Sequence, residues 1–334
     1  MSRSLPQPLR IGCFPTPVFR ADSLCTPDAE LWIKNDGPSA EPYGGNKVRK
    51  LELILAEAQR RGARRVVTTV AGGAHHVLAT AISARRAGIP VVAVLCPQPW
   101  TLHAERTLRA SLGAGIEPVT VSSMAAAAWG VARVARRGDY VVPAGGSNVE
   151  GTLGYVRAVT ELLGQIRARE LPEPDLIVAP LGSGGTVAGI LAGVLREGLK
   201  SNVVGVDVAV SPRLAQPLVI ALARLATRRD RGAAGVLRLS RTLEVDGSHL
   251  GHGYGHATRA GQRATEVAES IGLGLDPTYT AKTFARVLDE LERPAKRRRV
   301  VLYWHTLSST PFAPLLANAP AELPAGLASV LPRR

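Results

Sequence analysis

Aromatic side chains are scarce in this chain, where Phe, Trp and Tyr together make up 4% of 334 residues. A core must therefore be built mainly from leucine, valine and alanine, and at 46% hydrophobic residues the chain is long enough for two domains. Cys13, Cys25 and Cys96 are too few and too scattered for a disulfide framework, and they do not have metal-ligand spacing. No apolar run approaches about 18 residues and the N-terminus has no apolar signal segment, so we expect no membrane association and a cytoplasmic location.

Acidic residues are also in the minority, with 27 Asp and Glu against 41 Lys and Arg, which gives a formal net charge of +14. Basic runs at residues 228–231 and 296–299 are compatible with nucleic-acid binding. The other basic residues are dispersed over predicted helices, and no aromatic-rich platform or zinc module accompanies them. We therefore expect solvated helix faces and no nucleic-acid partner, with a basic nucleic-acid-binding protein as the alternative.

Three histidines, His249, His252 and His256, have a spacing that would line one face of a helix. The three alternating glycines of residues 251–255 make a helix there unfavourable. Because no set of carboxylates or cysteines accompanies these histidines in the sequence, we predict no metal site.

Valine- and isoleucine-rich runs alternate with helical segments through much of the chain. We predict strands at 65–71, 90–95, 116–121, 140–142, 176–179 and 202–210, and helices at 75–87, 102–112, 125–136, 152–169 and 186–195. This order is typical of an α/β protein whose parallel sheets are covered by helices on both faces.

The most informative segment is Gly44-Gly45-Asn46-Lys47-Val48-Arg49-Lys50-Leu51-Glu52, which places a lysine at the mouth of a helix behind two glycines and an asparagine. The Lys47 amine can form a Schiff base with an aldehyde cofactor, and Arg49 and Lys50 would help keep it deprotonated or hold an anionic group of the substrate. Taken alone, the segment more simply indicates a solvated basic start of a helix. A second segment changes that interpretation.

This second segment is Leu181-Gly182-Ser183-Gly184-Gly185-Thr186, for which flanking apolar runs predict a strand, a glycine turn and a helix. Backbone N–H groups converge at such a turn and the helix N-terminus adds a positive dipole end, so a phosphate can bind there with Ser183 and Thr186 as further donors. The turn matches neither the Walker pattern nor the dinucleotide fingerprint. A phosphate site together with a Schiff-base lysine indicates pyridoxal phosphate.

Six motifs in order resemble the 1-aminocyclopropane-1-carboxylate deaminase and D-cysteine desulfhydrase family, which are pyridoxal-phosphate enzymes of the tryptophan-synthase-β-like fold (fold type II). The resemblance covers most of the chain, with motifs at Thr16-Pro17 and at residues 44–52, 143–155, 182–186, 251–255 and 275–282. It implies two α/β domains, a large cofactor domain of residues 1–50 and 159–334 and a smaller domain of residues 51–158. By analogy alone it also implies a homodimer.

The resemblance assigns roles residue by residue. Lys47 would carry the cofactor and Asn46 would support its phenolate oxygen. Lys50 would contact the cofactor, and the turn would hold its phosphate, the turn residues being Gly182, Ser183, Gly184, Gly185 and Thr186. The substrate carboxylate would bind at a helix start whose N–H groups can receive it, formed by Gly73, Ala74, His75 and His76.

This substrate turn departs from the family, in which it reads Gln-Ser-Asn-His. Ala74 stands in place of a serine whose hydroxyl lies over the cofactor and serves substrate binding or proton removal, and His75 stands in place of an asparagine. Ala74 cannot accept or donate a proton. His75 is either a replacement hydrogen-bonding group or base, or a helix cap that points to solvent.

Two tyrosines are expected near the substrate as acids or hydrogen-bonding groups, and the predicted catalytic residues are therefore Lys47, Tyr279, His75 and Tyr254. The alternative for each tyrosine is a buried interfacial side chain. Thr280 stands where the ring-opening deaminases have a glutamate facing the cofactor's ring nitrogen, and the desulfhydrases resemble this chain in having threonine. A neutral partner suits β-elimination with a good leaving group.

We therefore predict a lyase or deaminase acting on a small amino acid, with conversion of D-cysteine to pyruvate, sulfide and ammonia as the leading reaction. The alternatives are 1-aminocyclopropane-1-carboxylate deamination, β-replacement, racemisation, and a cofactor-binding protein without activity. The last stays open because of Ala74 and because Leu307 and Ser308 replace two glycines of the family's His-Thr-Gly-Gly segment.

Overall fold

A computed structural model describes residues 6–209, 212–230 and 236–332. The strands in these ranges are β1 Val18–Arg20, β2 Ala29–Asn35, β3 Arg65–Ala71, β4 Val91–Cys96, β5 Ile116–Thr120, β6 Asp139–Val142, β7 Leu176–Leu181, β8 Asn202–Asp207, β9 Leu243–Asp246 and β10 Arg299–His305. The helices are α1 Lys47–Arg60, α2 His75–Arg86, α3 Leu102–Gly113, α4 Ala127–Val134, α5 Val149–Arg167, α6 Gly185–Glu197, α7 Pro212–Arg229, α8 Val236–Thr242, α9 Arg259–Glu269, α10 Thr280–Leu291 and α11 Phe312–Leu315.

The described strands form two sheets. One has six strands in the order β1-β2-β10-β7-β8-β9, with all neighbours parallel except β1 and β2. The other has four parallel strands in the order β5-β4-β3-β6. The prediction of an α/β fold is confirmed. The prediction that its sheets are parallel is correct for every described strand except one. The edge strand β1 is antiparallel, since the short connection to β2 leaves no room for a crossover helix.

The four-stranded sheet lies wholly within the smaller domain predicted for residues 51–158, whereas the six-stranded sheet uses strands from both sides of it. Helices α1 and α5 each run across one of the predicted boundaries and pack against each other. The exact boundaries therefore stay a prediction.

Strand β10 shows how the larger sheet is buried on both faces. Its side chains alternate between two hydrophobic clusters: Leu302 and Trp304 join the cluster beneath α5, α6 and α7, and Val301 and Tyr303 join the cluster beneath α9 and α10. A third hydrophobic cluster lies between the smaller sheet and helices α1, α2 and α3. Burial on both faces explains the near-continuous apolar strands of the sequence.

The parallel strands place their carboxyl ends at one edge of each sheet, where ligands of open α/β folds bind. The segments expected to form the site follow directly there: residues 72–76 after β3, residues 143–148 after β6, and residues 182–186 after β7. The lysine segment meets the same edge, because Gly45 N–H donates to Asp36 after β2 and Asn46 N–H donates to Thr306 after β10.

The three arginines of the basic run at residues 296–299 are each paired with a carboxylate, so they do not form an unpaired basic stripe. Arg297 pairs with Asp175, Arg298 lies 3.1 Å from Glu30, and Arg299 pairs with Glu290. In the other run, Arg231 lies outside the described residues, as does Val210 at the end of the strand predicted at 202–210. Among the described helices, none is both long and apolar enough to cross a bilayer.

Candidate active site

Lys47 is the first residue of α1 and is partly exposed. The turn before it needs glycine, since Gly45 has φ +88° and a Cβ there would lie 2.9 Å from the Thr306 carbonyl oxygen. Loss of hydration lowers the pKa of the Lys47 amine to about 8, against the attraction of Asp276. Such an amine is neutral, and therefore nucleophilic, far more often than an ordinary lysine.

Arg49 is buried and paired with two carboxylates, which corrects the expectation that it holds an anionic group of the substrate. Its guanidinium donates to Asp36 at 2.9 and 3.0 Å and to Glu161 at 2.9 Å. The other Asp36 oxygen accepts from Tyr155 at 2.6 Å and from Trp304 at 2.8 Å. This buried cluster connects the first turn of α1 to the end of β2, to α5 and to β10. It thereby fixes the position of Lys47 at the start of α1.

The glycine turn after β7 forms a cup, here defined as residues 182–186, that opens onto the N-terminus of the 13-residue helix α6. Gly184 takes φ +89°, which only glycine adopts readily. Hydroxyls line the cup: Ser147 lies 2.8 Å from Ser183 and accepts from Gly185 N–H at 3.0 Å. The Asn46 amide donates to Thr186 at 3.2 Å, which joins the lysine segment to the cup.

Lys50 places a buried amine at this cup. Its side chain is 1% exposed, and a Cβ added at Gly185 would lie 2.9 Å from Nζ. Because Gly185 has no side chain, the Lys50 amine can lie close to the start of α6. Nζ donates to the Gly145 carbonyl at 3.0 Å. Burial, followed by repulsion from Lys47, lowers the pKa of Lys50 well below its usual value. A buried amine with spare donors beside a helix N-terminus fits a phosphate group.

The substrate turn lies after β3, with Ala74 as the N-cap of α2. The Gly73 N–H is occupied, because it donates to the Gln98 side chain at 3.1 Å, and the Ala74 N–H donates to Ala71. The N–H groups of His75 and His76 open the helix and have no intrahelical partner, so they are the donors left for a carboxylate.

The His75 ring lies between two other side chains. Its Nδ1 pairs with the Tyr43 hydroxyl, and its Nε2 lies 2.7 Å from Nε2 of His103 at the start of α3. Burial lowers the pKa of His75 to about 3, and the electrostatic effect of His103 is the second cause. The ring is therefore neutral at neutral pH, and the interpretation as a cap that points to solvent does not describe this side chain.

His76 has a tautomer that its neighbours determine. The Thr68 hydroxyl donates its single proton to the Val142 carbonyl at 3.0 Å, so it must accept from His76 Nε2 at 2.9 Å. His76 Nδ1 is then a bare acceptor, and it is buried without a partner in the described structure. Its ring lies beside Gly146 and the Lys50 side chain.

Tyr279 lies against the cup, since a Cβ at Gly182 would be 3.2 Å from its ring. Its hydroxyl lies 2.5 Å from that of Tyr254, and burial raises the pKa of both. Thr280 donates its hydroxyl proton to the Asp276 carboxylate at 2.6 Å. Burial opposes ionisation of that carboxyl, but the hydrogen bonds it accepts lower its pKa. The Thr280 proton is thus committed, and its oxygen also accepts from Asp276 N–H at 2.7 Å, so a single lone pair is left for the site.

The three histidines considered for a metal are dispersed. His249 pairs with Asp246 and Asp289, both at 3.1 Å, while the His252 and His256 ring centroids lie 6.2 Å apart. No group of three metal-ligating side chains occurs within residues 6–209, 212–230 and 236–332.

The comparisons with known proteins agree with this arrangement of lysine and cup. A family model described as pyridoxal-phosphate dependent enzyme matches residues 9–306, a span that contains Lys47, the cup and Tyr279. The chain belongs to this family. It is a pyridoxal-phosphate-dependent enzyme, and its cofactor is the one that the lysine and the glycine turn predicted.

Individual relatives show which pyridoxal-phosphate enzymes this chain is similar to. The chain is 32% identical to the nocardicin C-9' epimerase of Nocardia uniformis subsp. tsuyamanensis, over 92% of this chain and 95% of the relative. It is 31% identical to a D-cysteine desulfhydrase of Salmonella paratyphi A, over 84% of this chain and 87% of the relative. A crystal structure described as an ACC deaminase homologue matches with a TM-score of 0.79 at 27% identity, covering 94% of this chain and 96% of that one. The resemblance to the deaminase and desulfhydrase group of pyridoxal-phosphate enzymes is confirmed.

Sequence reasoning missed three residues of the site, Tyr43, Gln98 and His103, and also Asp36 of the buried cluster behind it. Tyr43 directly precedes the glycines of the lysine motif, which was a usable signal. Gln98 follows β4, the parallel neighbour of β3, so its place at the same sheet edge was a usable signal too. His103 had no such signal, because it meets the turn after β3 only through the packing of α3.

Proposed function

We propose that this pyridoxal-phosphate enzyme catalyses β-elimination from a small amino acid, with D-cysteine as substrate and pyruvate, sulfide and ammonia as products. The observation that carries the proposal is the contact between the Tyr254 and Tyr279 hydroxyls, 2.5 Å apart beside the cup. One of their two protons makes the bond between the oxygens, so the other is available for a departing thiolate. The 31% identity to a D-cysteine desulfhydrase supports the same reaction.

Each step is assigned to a residue of this chain. When bound, pyridoxal phosphate withdraws electrons from the carbon that bears the substrate's amino group. The Lys47 amine, with its pKa lowered to about 8, removes the proton from that carbon. The free N–H groups at the start of α2 hold the substrate carboxylate. The Tyr254–Tyr279 pair donates to the departing sulfur, while Lys50 and the cup hold the phosphate.

The roles expected for His75 and Thr280 stay predictions, with two constraints. Both ring nitrogens of His75 are already bonded, so direct proton removal by this ring needs one of those bonds to break. Thr280 donates to Asp276, so toward a ring nitrogen it offers a lone pair rather than a proton.

Two other reactions of the same site have support of their own. Deamination of 1-aminocyclopropane-1-carboxylate is supported by the solved ACC deaminase homologue. Epimerisation is supported by the 32% identity to an epimerase over 92% of this chain. Neither reaction releases a β-substituent, so neither produces sulfide.

The test is a product analysis of the cofactor-loaded protein with D-cysteine, L-cysteine and 1-aminocyclopropane-1-carboxylate. We expect pyruvate and sulfide in equal amounts from D-cysteine, and no turnover by Lys47→Ala. Release of 2-oxobutanoate from the cyclopropane amino acid, or recovery of inverted cysteine without keto acid, would replace β-elimination by one of the alternatives. Full activity of Lys47→Ala would refute the role of the lysine.

We also propose that the chain forms a homodimer and acts in the cytoplasm. Both statements follow from the family resemblance and from the few cysteines, and neither depends on a contact described above. Light scattering on the purified protein tests the first, and cell fractionation tests the second.

A further inference from the structure

Three side chains from three separate segments form one hydrogen-bonded chain. The Tyr43 hydroxyl, in the loop before α1, pairs with Nδ1 of His75 at the start of α2. His75 Nε2 lies 2.7 Å from Nε2 of His103 in the first turn of α3. The two imidazole centroids are 4.8 Å apart, and the edge of Phe312 packs against His103 at 5.2 Å.

The start of α3 is fixed against the substrate turn, and this holds His103 in place. Thr101 caps α3 by accepting from Ala104 N–H at 3.0 Å. Gly73 lets Ala104 approach, because a Cβ at Gly73 would lie 2.4 Å from the Ala104 side chain. The contact between His75 and His103 therefore follows from backbone packing.

The two hydrogen bonds of His75 leave it no free ring nitrogen, so any proton that reaches or leaves this ring passes through Tyr43 or His103. One arrangement has Tyr43 donating to His75, and His75 donating to His103. The other has both bonds reversed. Moving protons along the chain converts one arrangement into the other.

The two ends of the hydrogen-bonded chain differ in their exposure to solvent. Tyr43 is 5% exposed and lies four residues before Lys47, whereas the His103 ring is partly exposed. The charged groups that face the two rings are Asp276, Lys47 and Arg106. Burial lowers the pKa of both imidazoles, to about 3 for His75, so the rings pass protons without storing one at neutral pH.

We propose that Tyr43, His75 and His103 form a proton relay that joins solvent at His103 to the reaction site at Tyr43. Ala74 provides no group that can move a proton, and the relay supplies one from the adjacent residue of the same turn. The substrate used to test it rests on the function proposed above.

The proton balance of the relay is simple. Water gives a proton to His103 Nδ1, and His103 Nε2 gives one to His75 Nε2. His75 Nδ1 gives one to the Tyr43 oxygen, and Tyr43 releases its own hydroxyl proton to the Lys47 amine, which returns it to the amino-bearing carbon. One proton is moved, one hydroxide is left for the buffer, and no electron is transferred. In the reverse sequence Tyr43 accepts the proton that Lys47 has taken from the amino-bearing carbon, and His103 Nδ1 gives one proton to water.

His103→Gln separates a relay from a merely structural contact, because its amide can keep a hydrogen bond to His75 but cannot pass a proton. We expect turnover of D-cysteine and deuterium uptake at the amino-bearing carbon in D2O to fall about 10²-fold, with KM changed less than about 2-fold. Imidazole added to His103→Ala should restore both rates. Phe312→Leu, which removes only the ring edge beside His103, is the matched control and should behave as the unmodified chain.

Wild-type turnover and deuterium uptake in His103→Gln would overturn the relay, as would a raised KM in His103→Ala that imidazole does not correct. A second readout needs no turnover. Ring-nitrogen NMR should show one proton shared between His75 and His103, and this signal should be lost in His103→Ala. Two unbonded rings would overturn the relay even if D-cysteine is turned over, whereas a shared proton without D-cysteine turnover would refute only the proposed substrate.

Discussion

Lys50→Met is the substitution whose consequences the structure defines most closely. Methionine keeps the length of the side chain in its buried position but removes the amine that lies at the cup. Hydrogen bonds to charged groups contribute about 1.5–3 kcal/mol. If the Lys50 amine binds the cofactor phosphate, its loss should weaken pyridoxal phosphate binding by about 10- to 150-fold.

The same substitution should change how stability depends on pH. The pKa of Lys50 is lowered in the folded chain, so the unfolded chain holds a proton that the folded chain lacks between the folded pKa and about 10.4. Stability of the cofactor-free protein must therefore rise with pH in that window, by up to about 1.4 kcal/mol per pH unit for this one proton. Lys50→Met removes that contribution, and the slope of unfolding free energy against pH should become shallower.

The measurements are fluorescence titration with pyridoxal phosphate and denaturant unfolding at several pH values between 7 and about 10. Lys296→Met is the control, since it makes the same substitution at an exposed position and should leave cofactor affinity unchanged. A Lys50→Met protein with unchanged affinity and an unchanged slope would refute the placement of Lys50 at the phosphate.

Three further predictions concern the cluster behind the site and the site itself. Asp36→Asn leaves Arg49 partly unpaired in a buried cluster and should cost about 3–5 kcal/mol of unfolding free energy in denaturant melts; a loss below about 1 kcal/mol would contradict its role. Cofactor loading should accelerate with pH and reach half its maximum near pH 8, where the Lys47 amine loses its proton, and a flat stopped-flow profile would count against that lowered pKa. Thr68→Val removes the hydrogen-bond partner of His76 Nε2 and should cost about 1–3 kcal/mol of unfolding free energy in thermal melts; an unchanged midpoint would contradict a stabilising bond between the two side chains.

The alternation of strands and helices could be predicted because local patterns determine it. The strand at 65–71 is correct to the residue, and β4 and α3 lie within one residue of their predicted bounds. Buried parallel strands appear in the sequence as apolar runs, and the glycine turn after β7 marks its own helix start. Lys47, Asn46 and the cup were predictable for the same reason, since each lies within one short segment.

Contacts between distant segments could not be predicted. Arg49 meets Glu161 across 112 residues, and this pairing turned an expected anion-binding residue into part of a buried cluster. His103 meets His75 across 28 residues, so its part in the site depends on how α3 packs. The basic run 296–299 appeared as a charged surface in sequence because its carboxylate partners lie on other elements.

The central claim is that Lys47 holds pyridoxal phosphate, and borohydride reduction of the loaded protein followed by peptide mass mapping tests it most directly. Reduction fixes the cofactor to the lysine with which it is bonded. The account predicts a pyridoxyl group on the peptide that contains Lys47, and none in Lys47→Ala. A pyridoxyl group on Lys50 or another lysine, or no labelled peptide at all, would contradict it.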